Sequence, residues 1–164
     1  MSSITLFAAA YVGAMRKLVG TVREREPNRH EAIDYWLGAC GVPLGNPWCA
    51  AMATVVARDV AAEIGTPECW PFGVTASCVQ LIRRARPLHR WHPIEEGYQP
   101  KLGDLVLYGR SGQRPDRGGA GHVAALVDVE RELCVSGNLD DQVQLHALDL
   151  PEHPALQRVG WVEI

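Results

Sequence analysis

Residues 45–64 read GNPWCAAMATVVARDVAAEI. The polar turn Gly45-Asn46-Pro47 leads into Trp48 and Cys49. Beyond them the chain is almost all alanine and β-branched or long apolar residues, the pattern of a buried helix. The stretch predicts a helix that begins at or near Cys49 and ends before Gly65. It also sets a chemical question. Cysteine is often buried as a small apolar residue. At a helix start, however, unpaired backbone N–H groups and the helix dipole favour the thiolate.

Working outward, the first half reads as helices. MSSITLFAAAYVGAM predicts an amphipathic helix with Ser2 or Ser3 as N-cap and Gly20 near its C-cap. RHEAIDYWLGAC predicts a second over 29–40, with Asn28 as cap and Gly41 as stop. A fourth is expected from Thr75 to Ala85, stopped by Pro87. The second half changes period. DLVLYG (104–109), HVAALVDVE (122–130), ELCVSG (132–137), QVQLHAL (142–148) and RVGWVEI (158–164) are short, rich in valine and leucine, and separated by turn residues. Helices followed by strands predict an α+β domain, its N-terminal helices packed on an antiparallel β-sheet. There is no internal repeat or linker, so residues 1–164 are read as one domain.

Composition narrows the function classes. Of 164 residues, 47% are apolar and 21% charged, as in ordinary globular proteins. The net charge of −3 argues against nucleic-acid binding. The one basic run, RRARPLHRWH (83–92), is read as a solvated helix end and loop. No segment is apolar enough to span a membrane. The N-terminus lacks the positively charged leader of a signal peptide, so synthesis in the cytoplasm without an export signal is expected. The five cysteines are odd in number and form no CxxC pair. Neither a disulfide framework nor a zinc site is expected, and no cofactor or metal is called for. Cys40 is placed at a helix end, Cys69 in the loop GTPECWPFG, Cys78 inside a helix and Cys134 inside a strand.

A nucleophilic cysteine needs a base and a group that orients that base. Of six histidines, His122 stands out, because it opens a strong strand after the glycine-rich RGGAGH. The next strand ends in VSGNLDD. If the two strands form a hairpin turning at Glu130-Arg131, His122 falls opposite about residue 139, within reach of Asn138. Cys49, His122 and Asn138 are therefore the candidate catalytic residues.

The segments NPWCAAM, PKLGDLVLYGR, GAGHVAALVDV and SGNLDDQV, in this order over about residues 20–164, resemble CHAP (cysteine, histidine-dependent amidohydrolase/peptidase) domains and their NlpC-type relatives. The Glu24 to Arg29 region is similar to the segment preceding the cysteine in phage-associated members. The resemblance implies a papain-like fold and a peptidoglycan hydrolase, an amidase or endopeptidase without cofactor. In it Cys49 is the nucleophile, His122 the general base and acid, and Asn138 the orienting residue. Some CHAP domains carry a glutamate two residues before that asparagine, where this chain has Ser136. The oxyanion is expected at the Cys49 backbone N–H and one further donor, with Asn46 a candidate. Trp48 and Trp70 are candidate walls of the substrate groove, and Glu24 a candidate to point into it. The loop GRSGQRPDRGGAGH (109–122) carries Arg110, Arg114 and Arg117 against Asp116. Its glycines suggest mobility, and its arginines suit stem-peptide carboxylates. The expected partner is a peptidoglycan peptide, reached through a phage lysis system, a tail structure or a toxin-injecting secretion machine, with a possible immunity or inhibitor protein. No nucleic-acid or membrane partner is expected. The alternatives are a wall-binding or assembly module with a spent site, and a papain-like amidase for another amide.

Overall fold

Ser2 starts the first helix. Its Oγ accepts the backbone N–H of Thr5 at 3.2 Å, and α1 runs Ser3–Leu18 before Gly20 turns the chain at φ +72°. Arg16 and Lys17 fill its last turn, where the helix dipole favours cations. Phe7, Tyr11, Val12 and Met15 form its buried face, and the Tyr11 hydroxyl donates to the Ala53 carbonyl at 3.2 Å. The computed structural model describes residues 2–164.

The second helix, α2, spans Glu31–Ala39. Its cap is His30, not Asn28: the His30 ring nitrogen Nδ1 accepts from the Ala32 N–H at 3.2 Å. Asn28 instead turns the chain at φ +56°. The third helix, α3, begins at Cys49 and runs to Glu63, as the alanine-rich stretch predicts. It is buried along most of its length, and its N-cap Trp48 makes no side-chain capping bond. The fourth, α4, is shorter than expected, Cys78–Ala85. Ser77 caps it by accepting the Gln80 N–H at 3.3 Å, while Thr75 is held by Thr54 outside the helix. A 3-10 turn, Arg86–Leu88, carries Pro87.

Six strands form one antiparallel sheet: β1 Trp91–Pro93, β2 Leu105–Arg110, β3 Gly121–Asp128, β4 Leu133–Leu139, β5 Gln142–Ala147 and β6 Leu156–Val162. Their order is β1-β6-β2-β3-β4-β5. The five strands expected from the period-two pattern are present. The sixth, β1, lies in the basic run read as solvated. Trp91 is buried there, His92 stacks on Tyr98 with ring centroids 3.9 Å apart, and Pro93 sits on an edge strand, where it needs no N–H partner.

The sheet alternates as a two-sided layer must. Leu105, Leu107, Val123, Ala125, Val127 and Val135 join the helices in the main core. Val106, Tyr108, Ala124, Leu126, Cys134 and Trp161 face the other way, beneath Leu148, Leu150 and Leu156. Asp104, at the entry to β2, is fully buried and accepts from the Lys101 N–H (2.7 Å), the Tyr98 hydroxyl (2.9 Å) and the Ile164 N–H (3.1 Å). That is the structural use of the PKLGD segment: it binds the last strand to the loop before β2. No helix among the described residues is long and apolar enough to cross a membrane.

Two features position the site. Strand β3 pairs with β4 only from Ala125↔Val135 to Asp128↔Leu133, so the strands part toward His122 and Asn138. Into that end comes the start of α3, which packs on both strands. Gly137 of β4 makes the approach possible. A Cβ there would meet Trp48 Cε3 at 2.7 Å and the Met52 sulfur at 3.0 Å. Gly137→Ala should therefore destabilise the protein by roughly 2–3 kcal/mol through overpacking. Urea unfolding reads this directly, and an unchanged midpoint would mean that α3 is not held this tightly.

Candidate active site

Cys49 is the first residue of α3, at an N-terminus whose opening backbone N–H groups have no intrahelical acceptor. Its thiol meets four influences. The Cys78 thiol favours its ionisation, burial opposes it, and the His122 imidazole and the Val123 backbone N–H favour it. The balance holds the Cys49 thiol well below the ordinary thiol range. Because β3 does not pair with β4 at Val123, that N–H is left for the sulfur. The parting of the strands is thus the place where thiol and imidazole meet.

His122 is 1% exposed. It pairs with Tyr108 of β2, and the two rings lie 6.0 Å apart, centroid to centroid. Its Nε2 is buried and has no hydrogen-bond partner among the described residues. Continuing the Ala125↔Val135 register would bring His122 opposite Asn138, close to the residue 139 expected from a turn at Glu130-Arg131. The ladder stops short, however, and Asn138 adopts φ +58° within a register shift of β4. Asn138 does not hydrogen-bond the imidazole Nε2. Ser136, where related domains can carry glutamate, is fully buried, and its Oγ lies 3.0 Å from His146 Nε2. His146 Nδ1 sits 2.8 Å from the Ala147 carbonyl, which puts the ring proton on Nδ1 and makes Ser136 the donor to Nε2.

Burial lowers the His146 pKa to about 4, and the His122 charge pushes the same way. The unfolded imidazole takes up its proton near pH 6.5, the folded one only near 4. Stability from this residue is therefore complete above about pH 6.5 and lost as pH falls toward 4, by up to about 3 kcal/mol. In urea unfolding at pH 7.5, 5.5 and 4.5, His146→Gln should show a shallower decline than the parent. Parallel declines would remove His146 as the source.

The remaining expected site residues divide. Trp48 is fully buried, stacks on Trp36 at 5.8 Å and donates its Nε1–H to Glu24 Oε1 at 2.8 Å. It is core, not a groove wall. Glu24 does not point into a groove either. Its second oxygen accepts the Asn28 N–H, so it ties the 24–28 turn to the residue before Cys49. Trp70 is 5% exposed, sets its ring edge-on to Phe72 and donates to the Gly73 carbonyl, so it too is core. The Asn46 side-chain amide donates to the Pro43 carbonyl at 2.9 Å, which commits it to the turn rather than to an oxyanion. Asn46 does border a groove of about 410 Å³, together with Pro47, Val74, Thr75, Ser77 and Gln80, immediately beside the two thiols in sequence.

The 109–122 loop is folded on itself, contrary to the mobility its glycines suggest. The Ala120 N–H donates to Gln113 Oε1, and Gly121 is glycine because a Cβ would strike Pro115 at 2.7 Å. Arg114 is committed to Asp116 (3.0 Å) and Glu95 (3.2 Å). Arg110 is exposed, and its charge reaches Cys78. Arg117 is exposed on the loop's 3-10 turn.

Sequence reasoning missed Cys78. Placed inside a helix it is packing; as the first residue of α4 it faces the nucleophile. The signal was Ser77, an N-cap residue directly before it. No group of histidine, cysteine and acidic side chains among the described residues is arranged to hold a metal ion. No family model, curated protein or solved structure matches the chain.

Proposed function

We propose that this chain is a papain-like cysteine amidohydrolase that cuts amide bonds of peptidoglycan stem peptides. One observation carries the reading: a thiol at an uncapped helix N-terminus, against a buried imidazole, with its ionisation favoured. In this mechanism the Cys49 sulfur attacks the amide carbonyl carbon. The oxyanion forms against the Cys49 backbone N–H and the first turn of α3. His122 protonates the leaving amine, then takes a proton from the water that hydrolyses the thioester. The peptidoglycan substrate rests on the resemblance of the NPWCAAM, GHV and SGN segments. Delivery to the wall by a phage or secretion apparatus belongs to the same reading.

The test is mass spectrometry of muropeptides after digestion of purified sacculi, with Cys49→Ala as control. New termini at one amide bond, absent in the control, support the proposal and identify the bond. Intact sacculi together with a thiol that alkylates rapidly at neutral pH would redirect it to another amide. Intact sacculi with an unreactive thiol would make the chain a wall-binding or assembly module.

Stem-peptide carboxylates offer arginine a two-pronged partner. Arg110 is exposed and its charge acts on Cys78, which supports it as the loop residue that meets one. Arg110→Gln should raise KM about tenfold, the loss of one charge-assisted contact, with kcat little changed. Arg114→Gln should leave KM alone, since its partners are Asp116 and Glu95. Equal effects of the two would place substrate charge recognition elsewhere.

A further inference from the structure

Amide hydrolysis as proposed leaves Cys78 without a role. It opens α4 as Cys49 opens α3, and each thiol is the largest single influence on the other's ionisation. Both are nearly buried, 6% and 7% exposed, and the His122 imidazole acts on Cys49. The two helix starts are tied together from several directions. The Thr54 hydroxyl, one turn into α3, accepts the Thr75 N–H at 3.0 Å and lies 3.0 Å from the Thr75 carbonyl. Ser77 donates its N–H to Thr75 Oγ1 at 3.1 Å. Upstream, Arg84 donates to the carbonyls of Phe72 (3.0 Å) and Val74 (2.9 Å). The segment that delivers Cys78 is therefore bound to the helix that delivers Cys49. Cys134 lies on the far side of the sheet with Tyr108, and neither Cys40 nor Cys69 is among the groups that influence the ionisation of Cys49.

We propose that Cys49 and Cys78 are a redox modification site: a hydroperoxide converts them to an intramolecular disulfide that reversibly stores the nucleophile. The proposal rests on Cys49 being the reactive thiol of the hydrolase. With hydrogen peroxide, the Cys49 thiolate attacks one peroxide oxygen, the O–O bond breaks, and hydroxide leaves to be protonated to water. Cys49 is then a sulfenic acid, oxidised by two electrons. The Cys78 sulfur attacks Cys49 Sγ, the S–O bond breaks, and hydroxide leaves, taking up the proton Cys78 gives. Overall, two thiols and one peroxide yield one disulfide and two waters. The Cys78 thiol, pushed well above its ordinary range by Cys49 and by burial, is a poor first target and becomes a resolving thiol only after Cys49 has lost its charge. Burial does not bar this second step, because both thiols lie inside the protein. Only the small peroxide has to enter.

The full-length protein is exposed to a modest excess of hydrogen peroxide, and remaining thiols are blocked with N-ethylmaleimide. It is then digested without reductant by trypsin and chymotrypsin, which cut at Trp48 and Phe72 and so separate Cys49 from Cys40 and Cys78 from Cys69. The expected product is one cross-linked Cys49–Cys78 peptide pair, two hydrogens lighter than the sum, with Cys40, Cys69 and Cys134 alkylated. Dithiothreitol should return both thiols. In Cys78→Ala, and in Cys78→Ser should alanine not fold, Cys49 should proceed to sulfinic acid that dithiothreitol does not recover. A parent protein whose Cys49 becomes sulfinic acid, pairs with another cysteine or stays alkylatable overturns the proposal, whatever the variants do. The readout needs no peptidoglycan. A cross-link in a protein that leaves sacculi uncut upholds the pair and refutes the substrate. Cleavage of sacculi without a cross-link upholds the hydrolase and refutes the pair.

Discussion

Cys49→Ala should abolish hydrolysis, lowering kcat by roughly five orders of magnitude, the scale on which removing a covalent nucleophile acts. The fold should survive. Alanine is a strong helix former and fits where a thiol of similar size sat. The change does leave the Val123 N–H facing no sulfur, which costs about 1 kcal/mol. Far-UV circular dichroism and urea unfolding should therefore show a folded, slightly weakened protein. Single alanine changes at Cys40, Cys69 and Cys134 should keep substantial activity. A fully active Cys49→Ala variant would end the nucleophile assignment at once.

His122→Ala should be nearly as damaging, by roughly four orders of magnitude, because thiol activation and amine departure lose the same proton carrier. It should also slow alkylation of Cys49 by iodoacetamide at neutral pH, since the thiolate loses the imidazole charge that helps hold it ionised. That second readout separates a chemical role from a packing one. Asn138→Ala should cost tenfold or less and leave alkylation unchanged, because Asn138 does not bond the imidazole Nε2. If it costs nothing, orientation of the ring belongs elsewhere, with Ser136 the next residue to test. Asp140 is a poorer candidate: it is exposed, 3.5 Å from His153 and 3.1 Å from Gln144. Alkylation of His122→Ala at the parent rate would sever the link between imidazole and thiol.

The helix of Cys49 and the main strands were legible because burial writes a period into the chain. An alanine-rich run without charges in its first turn can only be an inner helix, and alternating valines and leucines can only line a two-sided sheet. Side-chain roles were less legible. Trp48 beside the nucleophile reads equally as wall or core until Gly137 is seen beneath its ring. Glu24 and Asn28 lie in a turn whose partners come from Trp48 and Gly45, more than fifteen residues away. Arg114 and Arg110 have the same charge in the same loop, and only the position of Glu95 separates their tasks. Cys78 is lost by placing a helix start three residues too early, a small error that puts the first residue of α4 in a helix interior. The register of Asn138 was nearly right from turn counting, but counting assumes a continuous ladder, and this one parts.

The parting of β3 from β4 also gives the site a natural reporter. In an unbroken sheet the Val123 amide would spend its hydrogen on a neighbouring strand's carbonyl, and its environment would be blind to chemistry. Here that hydrogen faces sulfur. Its nuclear magnetic resonance frequency should therefore follow the charge on Cys49 through titration, alkylation and acylation. One backbone signal would distinguish resting, ionised and acylated protein in solution, without any probe attached to the chain.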